Sequence, residues 1–141
     1  MYRDYLKSII DIFFGFIIFI LLLPILLLLS FFVFFSMGSP IFFKQERIGK
    51  NNKPFIMYKF RTMREPKEGE NRLLSDADRV TKVGAFLRKT SLDELPQFLN
   101  VLRGEMSIVG PRPHMILVDD YYKPKIGKYP MRSLVKPGIT G

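Results

Sequence analysis

The chain opens with one long apolar segment. From Ile12 to Phe35 no residue carries a charge, and most residues are Leu, Ile or Phe. About 24 residues at ~1.5 Å each make a helix of ~36 Å, enough to cross a hydrocarbon core of ~30 Å. The segment is too long for the apolar part of a signal peptide, and it ends in Phe residues rather than at a small-residue cleavage site. We therefore predict a membrane helix that is retained in the mature protein.

Two features leave the path of this helix through the bilayer open. Pro24 lies at its middle, where proline removes a hydrogen bond and clashes with the preceding turn. Basic residues, which favour the cytoplasmic side, flank both ends: Arg3, Lys7, Lys44, Arg47, Lys50 and Lys53. A helix that dips in, breaks at Pro24 and returns keeps both flanks on that side, whereas a spanning helix separates them. Proline also occurs in spanning helices, so the pattern allows both paths.

Beyond residue 38 the pattern becomes that of a small water-facing domain. Two runs rich in aromatic and β-branched residues, Ile41–Ile48 and Phe55–Met63, flank a Gly-Lys-Asn-Asn sequence and predict a β-hairpin. Apolar residues at helical spacing predict a short amphipathic helix with Arg88 in its last turn, and a second helix over Ser91–Leu102. We expect loops at 65–78, 107–113 and 136–141. The predicted fold class is α+β, divided into a membrane segment, 1–38, and a domain, 39–141.

Composition narrows the function classes. The 141 residues include no cysteine, which excludes disulfides and thiolate chemistry, and they carry a net charge of +9. An anionic membrane surface together with phosphate ligands explains this charge. A nucleic-acid partner is not expected, because no helix-turn-helix, zinc-finger or RNA-binding aromatic signature is present.

The stretch whose residues are best suited to catalysis contains two adjacent carboxylates, Asp93 and Glu94. One interpretation is purely structural, because Ser91 and Glu94 have the spacing of a capping box and acidic residues favour a helix N-terminus. The other is catalytic. A carboxylate can attack phosphorus, and a neighbouring carboxylate can hold Mg²⁺ together with substrate phosphates.

Several cations could accompany that chemistry. Lys59 and Arg61 share one face of the second predicted strand, which is either solvated or phosphate-binding. Arg88 and Arg112 can make bidentate contacts with phosphate oxygens. Arg112 lies between two prolines that restrict its backbone, although a solvated arginine in a proline-rich turn fits as well. His114, the one histidine, follows this turn.

The order of these motifs resembles the bacterial sugar transferase family, the polyprenyl-phosphate phosphoglycosyl transferases with a monotopic membrane domain. The resemblance covers nearly the whole chain and is closest to the minimal members. It is carried by the Pro24-interrupted helix and by five segments, namely residues 42–49, 58–63, 90–97, 106–113 and 137–141.

This resemblance implies a re-entrant helix-break-helix at Pro24 in the bacterial inner membrane, with the catalytic domain on the cytoplasmic face. It implies that Asp93 attacks the β-phosphorus of a UDP-sugar and that a polyprenyl phosphate then accepts the phosphosugar, the first membrane step of glycoconjugate synthesis. Glu94 would hold Mg²⁺, and Arg88 and Arg112 would contact phosphate or nucleotide. Downstream glycosyltransferases are further candidate partners.

Two departures from the family pattern accompany the resemblance. Leu23 precedes Pro24 where these proteins often have Ser, and the family continues past the closing Pro-Gly-Ile-Thr-Gly sequence, so we expect the catalytic domain to be incomplete. The alternative hypothesis is therefore an inactive, truncated membrane-surface remnant that binds anionic lipid or a partner transferase. A third is a single-pass anchor with a basic nucleic-acid-binding domain, which predicts that Arg3 lies outside the cytoplasm.

Overall fold

A computed structural model describes residues 2–65, 76–122, 124–127 and 129–140. Its helices are α1 (Tyr2–Met37), α2 (Asp76–Arg79), α3 (Lys82–Thr90), α4 (Phe98–Leu102) and α5 (Ile116–Tyr122). Its strands are β1 (Phe42–Ile48), β2 (Pro54–Phe60), β3 (Ser107–Val109) and β4 (Gly138–Thr140). Short 3₁₀ segments cover Lys50–Asn52, Leu92–Gln97 and Tyr129–Leu134. The chain is therefore α+β, as predicted, with a long apolar helix followed by small sheets and short helices.

Helix α1 is continuous through Pro24. The predicted break is therefore not an interruption of the helix, because proline removes one hydrogen bond while those on either side persist. Within α1, Tyr5–Met37 is long and apolar enough to cross a membrane by length and composition. Many of its Leu, Ile and Phe side chains are exposed, as expected for a helix that contacts lipid.

The predicted hairpin is present, since β1 and β2 form a two-stranded sheet. Strand β2 ends at Phe60, three residues before the predicted end. The Phe42 and Phe60 rings stack at the end of the hairpin with centroids 5.4 Å apart. Of the predicted loop at 65–78, residues 66–75 lie outside the described residues, and Asp76–Arg79 forms a helical turn instead.

The chain divides into two compact units. The first contains the described residues of Met1–Leu22, Lys44–Tyr58 and Gln97–Gly141, and the second contains those of Leu23–Phe43 and Lys59–Pro96. These units do not test the predicted boundary between the membrane segment and the domain at residue 38, which stays a prediction.

The first unit has an apolar core of Phe55, Met57, Val101 and Met106. The buried Asn100 side chain ties α4 to β2, because it accepts from Tyr58 N–H at 3.2 Å and donates to the Ile56 carbonyl at 2.6 Å. Gly15 brings α1 close to α4, since a Cβ there would lie 3.0 Å from Val101 Cγ1.

The two segments predicted as loops at 107–113 and 136–141 contain the strands of a second sheet in this unit. Strands β3 and β4 are parallel, with Ser107 opposite Gly138 and Val109 opposite Thr140. Gly110 and Gly138 allow the two backbones to meet, because a Cβ on Gly138 would lie 2.1 Å from Gly110 N. The loop prediction was wrong here because three-residue strands are too short to leave a period-2 pattern.

The second unit contains the C-terminal part of α1, with Leu26, Leu29 and Val33 buried, and the predicted amphipathic helix α3. Thr81 caps α3 by accepting from Gly84 N–H at 3.0 Å. Gly84 lies directly against the 61–63 segment, since a Cβ there would lie 1.9 Å from the Thr62 carbonyl oxygen. This close approach fixes the part of α3 that carries Arg88.

Candidate active site

The carboxylate pair lies in a 3₁₀ segment and not at the start of an α-helix. Asp93 and Glu94 occupy the first turn of Leu92–Gln97, and the α-helix that follows begins only at Phe98. Ser91 ends α3 in a left-handed conformation with φ of 56°. The capping-box interpretation was therefore wrong, because an N-cap residue needs an extended backbone.

Glu94 forms an ion pair with Lys59. The Lys59 Nζ lies 2.7 Å from Glu94 Oε1, and about four-fifths of each side chain is buried. Lys59 belongs to β2, so the hairpin and the 3₁₀ segment together position the pair. The structure thus places a predicted phosphate-binding cation beside the predicted metal ligand.

Asp93 lies in the same surroundings and is partly buried. Burial raises the pKa of its carboxyl above the usual 3.8, while the Lys59 charge opposes the rise and the Glu94 charge adds to it. A weaker pull from Arg88 also lowers this pKa. Asp93 is therefore a carboxylate with reduced solvation in the electrostatic field of two cations, which suits a nucleophile that must approach an anionic phosphate.

Arg88 is held by one of its nitrogens. Its Nε donates to Thr62 Oγ1 at 2.9 Å, in the segment against which Gly84 packs. The terminal nitrogens, which make bidentate contacts to phosphate, are not used in this bond. This arrangement is compatible with the predicted phosphate contact.

Arg61 has a different environment from the one predicted. It follows β2, is 7% exposed, and donates from Nε to the Met63 carbonyl at 3.0 Å and from Nη1 to the Ser39 carbonyl at 3.2 Å. These contacts tie the chain after α1 to the chain after β2. Arg61 therefore has a structural role here, and its contact with phosphate stays a prediction.

Arg112 belongs to the first unit and lines a pocket with His114, Arg132 and Ser133. The Arg132 Nη2 donates to the Arg112 carbonyl at 2.7 Å, and Arg132 Nη1 lies 3.2 Å from His114 Nδ1. Burial and the Arg132 charge lower the pKa of His114 below its usual 6.5. At neutral pH His114 is therefore uncharged, with Nδ1 as an acceptor. Two guanidinium groups and a histidine suit an anionic ligand.

Comparison with known proteins identifies the family. The sequence matches the family model described as bacterial sugar transferase over residues 2–141. It is 53% identical over 106 residues to the uncharacterized sugar transferase EpsL of Bacillus subtilis, covering 75% of this chain and 51% of that protein.

Two further relatives carry names that state a reaction. The UDP-glucose:undecaprenyl-phosphate glucose-1-phosphate transferase of Escherichia coli is 46% identical over 96% of this chain and 30% of its own length. The UDP-N-acetylgalactosamine-undecaprenyl-phosphate N-acetylgalactosaminephosphotransferase of Aeromonas hydrophila is 42% identical over 84% of this chain and 28% of its own length. The chain belongs to the bacterial sugar transferase family. It spans about half or less of the length of these three relatives.

Mg²⁺ stays a prediction for this chain, with Glu94 as the predicted ligand and Asp93 next to it in the sequence. Among the described residues no group of three or more His, Cys, Asp or Glu side chains could hold a metal ion. Two carboxylates nevertheless fit Mg²⁺, because this ion is commonly held by one or two carboxylates plus substrate phosphates. The close Lys59 ammonium already compensates one negative charge at this position.

Two features of this chain were not predicted as functional. Arg132 joins the Arg112 pocket from a 3₁₀ segment 20 residues away along the chain, and no sequence pattern connects the two. Asp11 contacts Ser107 from within the membrane helix. An ionisable residue in an apolar segment is a signal that could have drawn attention to Asp11.

Proposed function

We propose that this chain is a phosphoglycosyl transferase that moves a sugar phosphate from a UDP-sugar to a polyprenyl phosphate through an intermediate on Asp93. The observation that carries the proposal is the placement of the Asp93 carboxylate, partly buried and with a raised pKa, next to the Lys59–Glu94 ion pair. A helix-capping role does not require this cation or this burial. The names of the relatives support the reaction class.

The first step joins the enzyme to the sugar phosphate. An Asp93 Oδ atom attacks the β-phosphorus of the UDP-sugar, and the bond from that phosphorus to the oxygen bridging the two phosphates breaks. The electron pair leaves with UMP, and the sugar phosphate remains on Asp93 as an acyl phosphate. Lys59 and Arg88 reduce the repulsion between the carboxylate and the diphosphate. Bound Mg²⁺, held by Glu94, would neutralise phosphate charge.

The second step regenerates the enzyme. A phosphate oxygen of the polyprenyl phosphate attacks the phosphorus of the acyl phosphate, and the bond to Asp93 Oδ breaks. The products are a polyprenyl diphosphate sugar and the free carboxylate. Arg112, Arg132 and neutral His114 form the pocket that we assign to an anionic group of a substrate. The lipid-linked product would then be available to downstream glycosyltransferases.

We also propose that α1 is re-entrant, with the rest of the chain on the cytoplasmic face of the bacterial inner membrane. Asp11, near the start of α1, accepts from Ser107, which lies far beyond the end of α1. A single crossing would separate these residues by the hydrocarbon core, and the described residues contain no second stretch able to return the chain. The basic flanks and the net charge of +9 support contact with anionic lipid on that face.

The test of the reaction is mass spectrometry of the full chain in membranes with a UDP-sugar and Mg²⁺ but no lipid acceptor. UDP-glucose and UDP-N-acetylgalactosamine are the first donors to use, since relatives are named for them. We expect UMP release and a phosphosugar adduct on Asp93. The adduct should be absent in Asp93→Asn, because an amide is a poor nucleophile, and present in the control Asp78→Asn, which alters an exposed aspartate of the same unit. An adduct that persists in Asp93→Asn contradicts the assignment.

The metal role of Glu94 has its own test. Glu94→Gln removes one negative ligand, so we expect the Mg²⁺ concentration for half-maximal UMP release to rise by about tenfold or more, with partial recovery at high Mg²⁺. The measurement is a Mg²⁺ titration of UMP release. An unchanged midpoint in Glu94→Gln would exclude Glu94 as a metal ligand.

A further inference from the structure

We propose that Asp11 of the membrane helix is a positioning residue for the Arg112 loop, residues 110–113. This inference rests on the proposed function, because it assigns Arg112 a phosphate ligand. Its structural basis is a polar cluster that joins α1 to β3 in the first unit. The cluster consists of Lys7, Asp11, Ser107, Ile108 and Val109.

The cluster is buried and fully bonded at its centre. Asp11 is 7% exposed and Ser107 is 1% exposed. The Ser107 hydroxyl donates to Asp11 Oδ2 at 2.8 Å and accepts from the Lys7 ammonium. Lys7 Nζ also lies 2.9 Å from Asp11 Oδ2. Lys7 is about half exposed, so its ion pair with Asp11 contributes little net stability. The buried hydrogen bond between Ser107 and Asp11 can instead fix one arrangement of the groups that it joins.

The same cluster binds the backbone of β3. Ile108 N–H donates to Asp11 Oδ1 at 3.3 Å, and the Val109 carbonyl accepts from Lys7 Nζ at 3.3 Å. Ser107 N–H instead donates to the Pro137 carbonyl at 2.8 Å, on the side of β4. Strand β3 is thus held by β4 through one set of backbone groups and by α1 through another. Two three-residue strands form only a marginal sheet alone, so the α1 contacts matter for holding β3 in place.

Strand β3 leads directly into the loop that carries Arg112. Gly110 N–H donates to the Thr140 carbonyl, and Gly138 N–H donates to the Pro111 carbonyl, both at 3.0 Å. Pro111 and Pro113 stiffen the backbone on either side of Arg112. Because the loop is stiff, a displacement of β3 therefore also displaces Arg112. Because α1 is the membrane helix, Asp11 couples the position of this helix to the phosphate-binding loop.

The test compares Asp11→Ala, Asp11→Asn and Ser107→Ala in the full chain in lipid nanodiscs, with Ser30→Ala as control. Ser30 is a polar residue of the same helix, and its hydroxyl donates to the Leu26 carbonyl of α1 at 2.7 Å. The first readout is amide hydrogen exchange of a peptide covering residues 107–112. Loss of a charged hydrogen-bond partner should speed this exchange by about tenfold in Asp11→Ala. The increase should be smaller in Asp11→Asn, which keeps an acceptor for Ile108 N–H.

The second readout is kinetic. We expect the KM for the UDP-sugar to rise by roughly five- to tenfold in Asp11→Ala while kcat changes less, since Arg112 is displaced and Asp93 is not. The double variant with Ser107→Ala should be little worse than the more affected single variant, because both act through one contact. Exchange in Asp11→Ala that matches Ser30→Ala, or that rises equally in the β2 peptide, overturns the positioning role.

The two proposals fail in different ways. If the unaltered chain forms no adduct, the proposed reaction is contradicted. The amide hydrogen exchange data still decide whether Asp11 holds the Arg112 loop. If the adduct forms but amide hydrogen exchange at residues 107–112 is unchanged in all three variants, only the positioning role of Asp11 is contradicted. Should Asp11→Ala not fold, Asp11→Asn and Ser107→Ala carry the same comparison.

Discussion

At the scale of single residues, the acidic pair combines two environments. Glu94 is compensated by the Lys59 ammonium at 2.7 Å, whereas Asp93 is partly buried and has no comparable close ion pair among the described contacts. Its raised pKa means that the folded state holds the Asp93 proton more tightly than the unfolded state does. This difference makes the charge of Asp93 a cost to folding.

The first prediction follows from the sign of that shift. The stability contributed by Asp93 is fully present below the unfolded pKa and is lost as pH rises through the higher folded pKa. Asp93→Asn should therefore raise the unfolding temperature at pH 7, and the gain should disappear as pH falls below the usual 3.8 of an aspartate. Thermal unfolding across a pH series measures this.

Asp78→Asn is the matched control, since Asp78 is exposed. If the Asp93 charge only stabilised the first turn of the Leu92–Gln97 segment, the sign would be the opposite, because loss of a negative charge at such an N-terminus costs ~0.3–1 kcal/mol. A lower unfolding temperature for Asp93→Asn at pH 7 would thus favour the structural role.

Arg112 gives a second prediction at this scale. Arg112→Lys keeps the charge but loses the planar pair of donors, so we expect kcat/KM for the UDP-sugar to fall by about tenfold or more. Arg103→Lys serves as the control, because Arg103 is an exposed arginine of the same unit that stacks on the Tyr58 ring. Equal kinetics for Arg112→Lys and the control would reduce Arg112 to a general electrostatic role.

At the scale of elements, close backbone approaches position the functional side chains. Gly84 lets α3 lie against Thr62, and Arg88 on the same helix then reaches the Thr62 hydroxyl. Gly110 and Gly138 do the same for β3 and β4 next to Arg112. Glycine is needed at these positions because any Cβ would overlap with the facing backbone.

Gly84→Ala tests this packing. The added Cβ would lie 1.9 Å from the Thr62 oxygen, so α3 must shift, and we expect a loss of ~1–3 kcal/mol in the free energy of unfolding. Gly127→Ala is the control, since a Cβ there meets no atom within 4 Å. Denaturant unfolding of both variants provides the comparison, and equal stabilities would contradict the close approach.

The elements also show how far the pattern of apolar residues could predict the fold. The hairpin and α3 were predicted because each is long enough to display its period and is bounded by Gly, Asn or Thr. The prediction of a single helix over Ser91–Leu102 was wrong. The left-handed conformation of Ser91 and the 3₁₀ turns up to Gln97 depend on packing, which the spacing of apolar residues does not encode. The β3–β4 pair was missed because its strands, of three residues each, are too short to show a period-2 pattern.

At the scale of the whole molecule, the question is which side of the membrane each end of α1 occupies. The chain has no native cysteine, so single cysteines can be introduced for labelling. Cysteine at residue 3 and cysteine at residue 50 should both react only with a reagent applied from the cytoplasmic side. Labelling of residue 3 from outside would contradict the re-entrant proposal.

Pro24→Ala extends this test. The substitution restores the backbone donor that Pro24 lacks in the middle of the continuous α1 and removes the clash of the proline ring with the preceding turn. A bend at this point is then less favoured in a helix long enough to cross, so we expect part of the population to expose residue 3 outside. Ser30→Ala is a suitable comparison, because it changes another position of α1 without restoring a donor. Identical labelling of the two variants would show that Pro24 does not set the topology.

The sequence by itself determined the membrane helix, the hairpin, the amphipathic α3 and the family, because long periodic segments and ordered motifs are local properties of the chain. It also singled out Asp93, Glu94, Lys59, Arg88 and Arg112. Only the tertiary structure decided that Lys59 pairs with Glu94, that Arg61 binds backbone carbonyls, and that Asp11 holds β3. The Lys59–Glu94, Arg61–Ser39 and Asp11–Ile108 contacts join residues 35, 22 and 97 positions apart. Their partners follow from how the elements pack, which no local pattern in the sequence encodes.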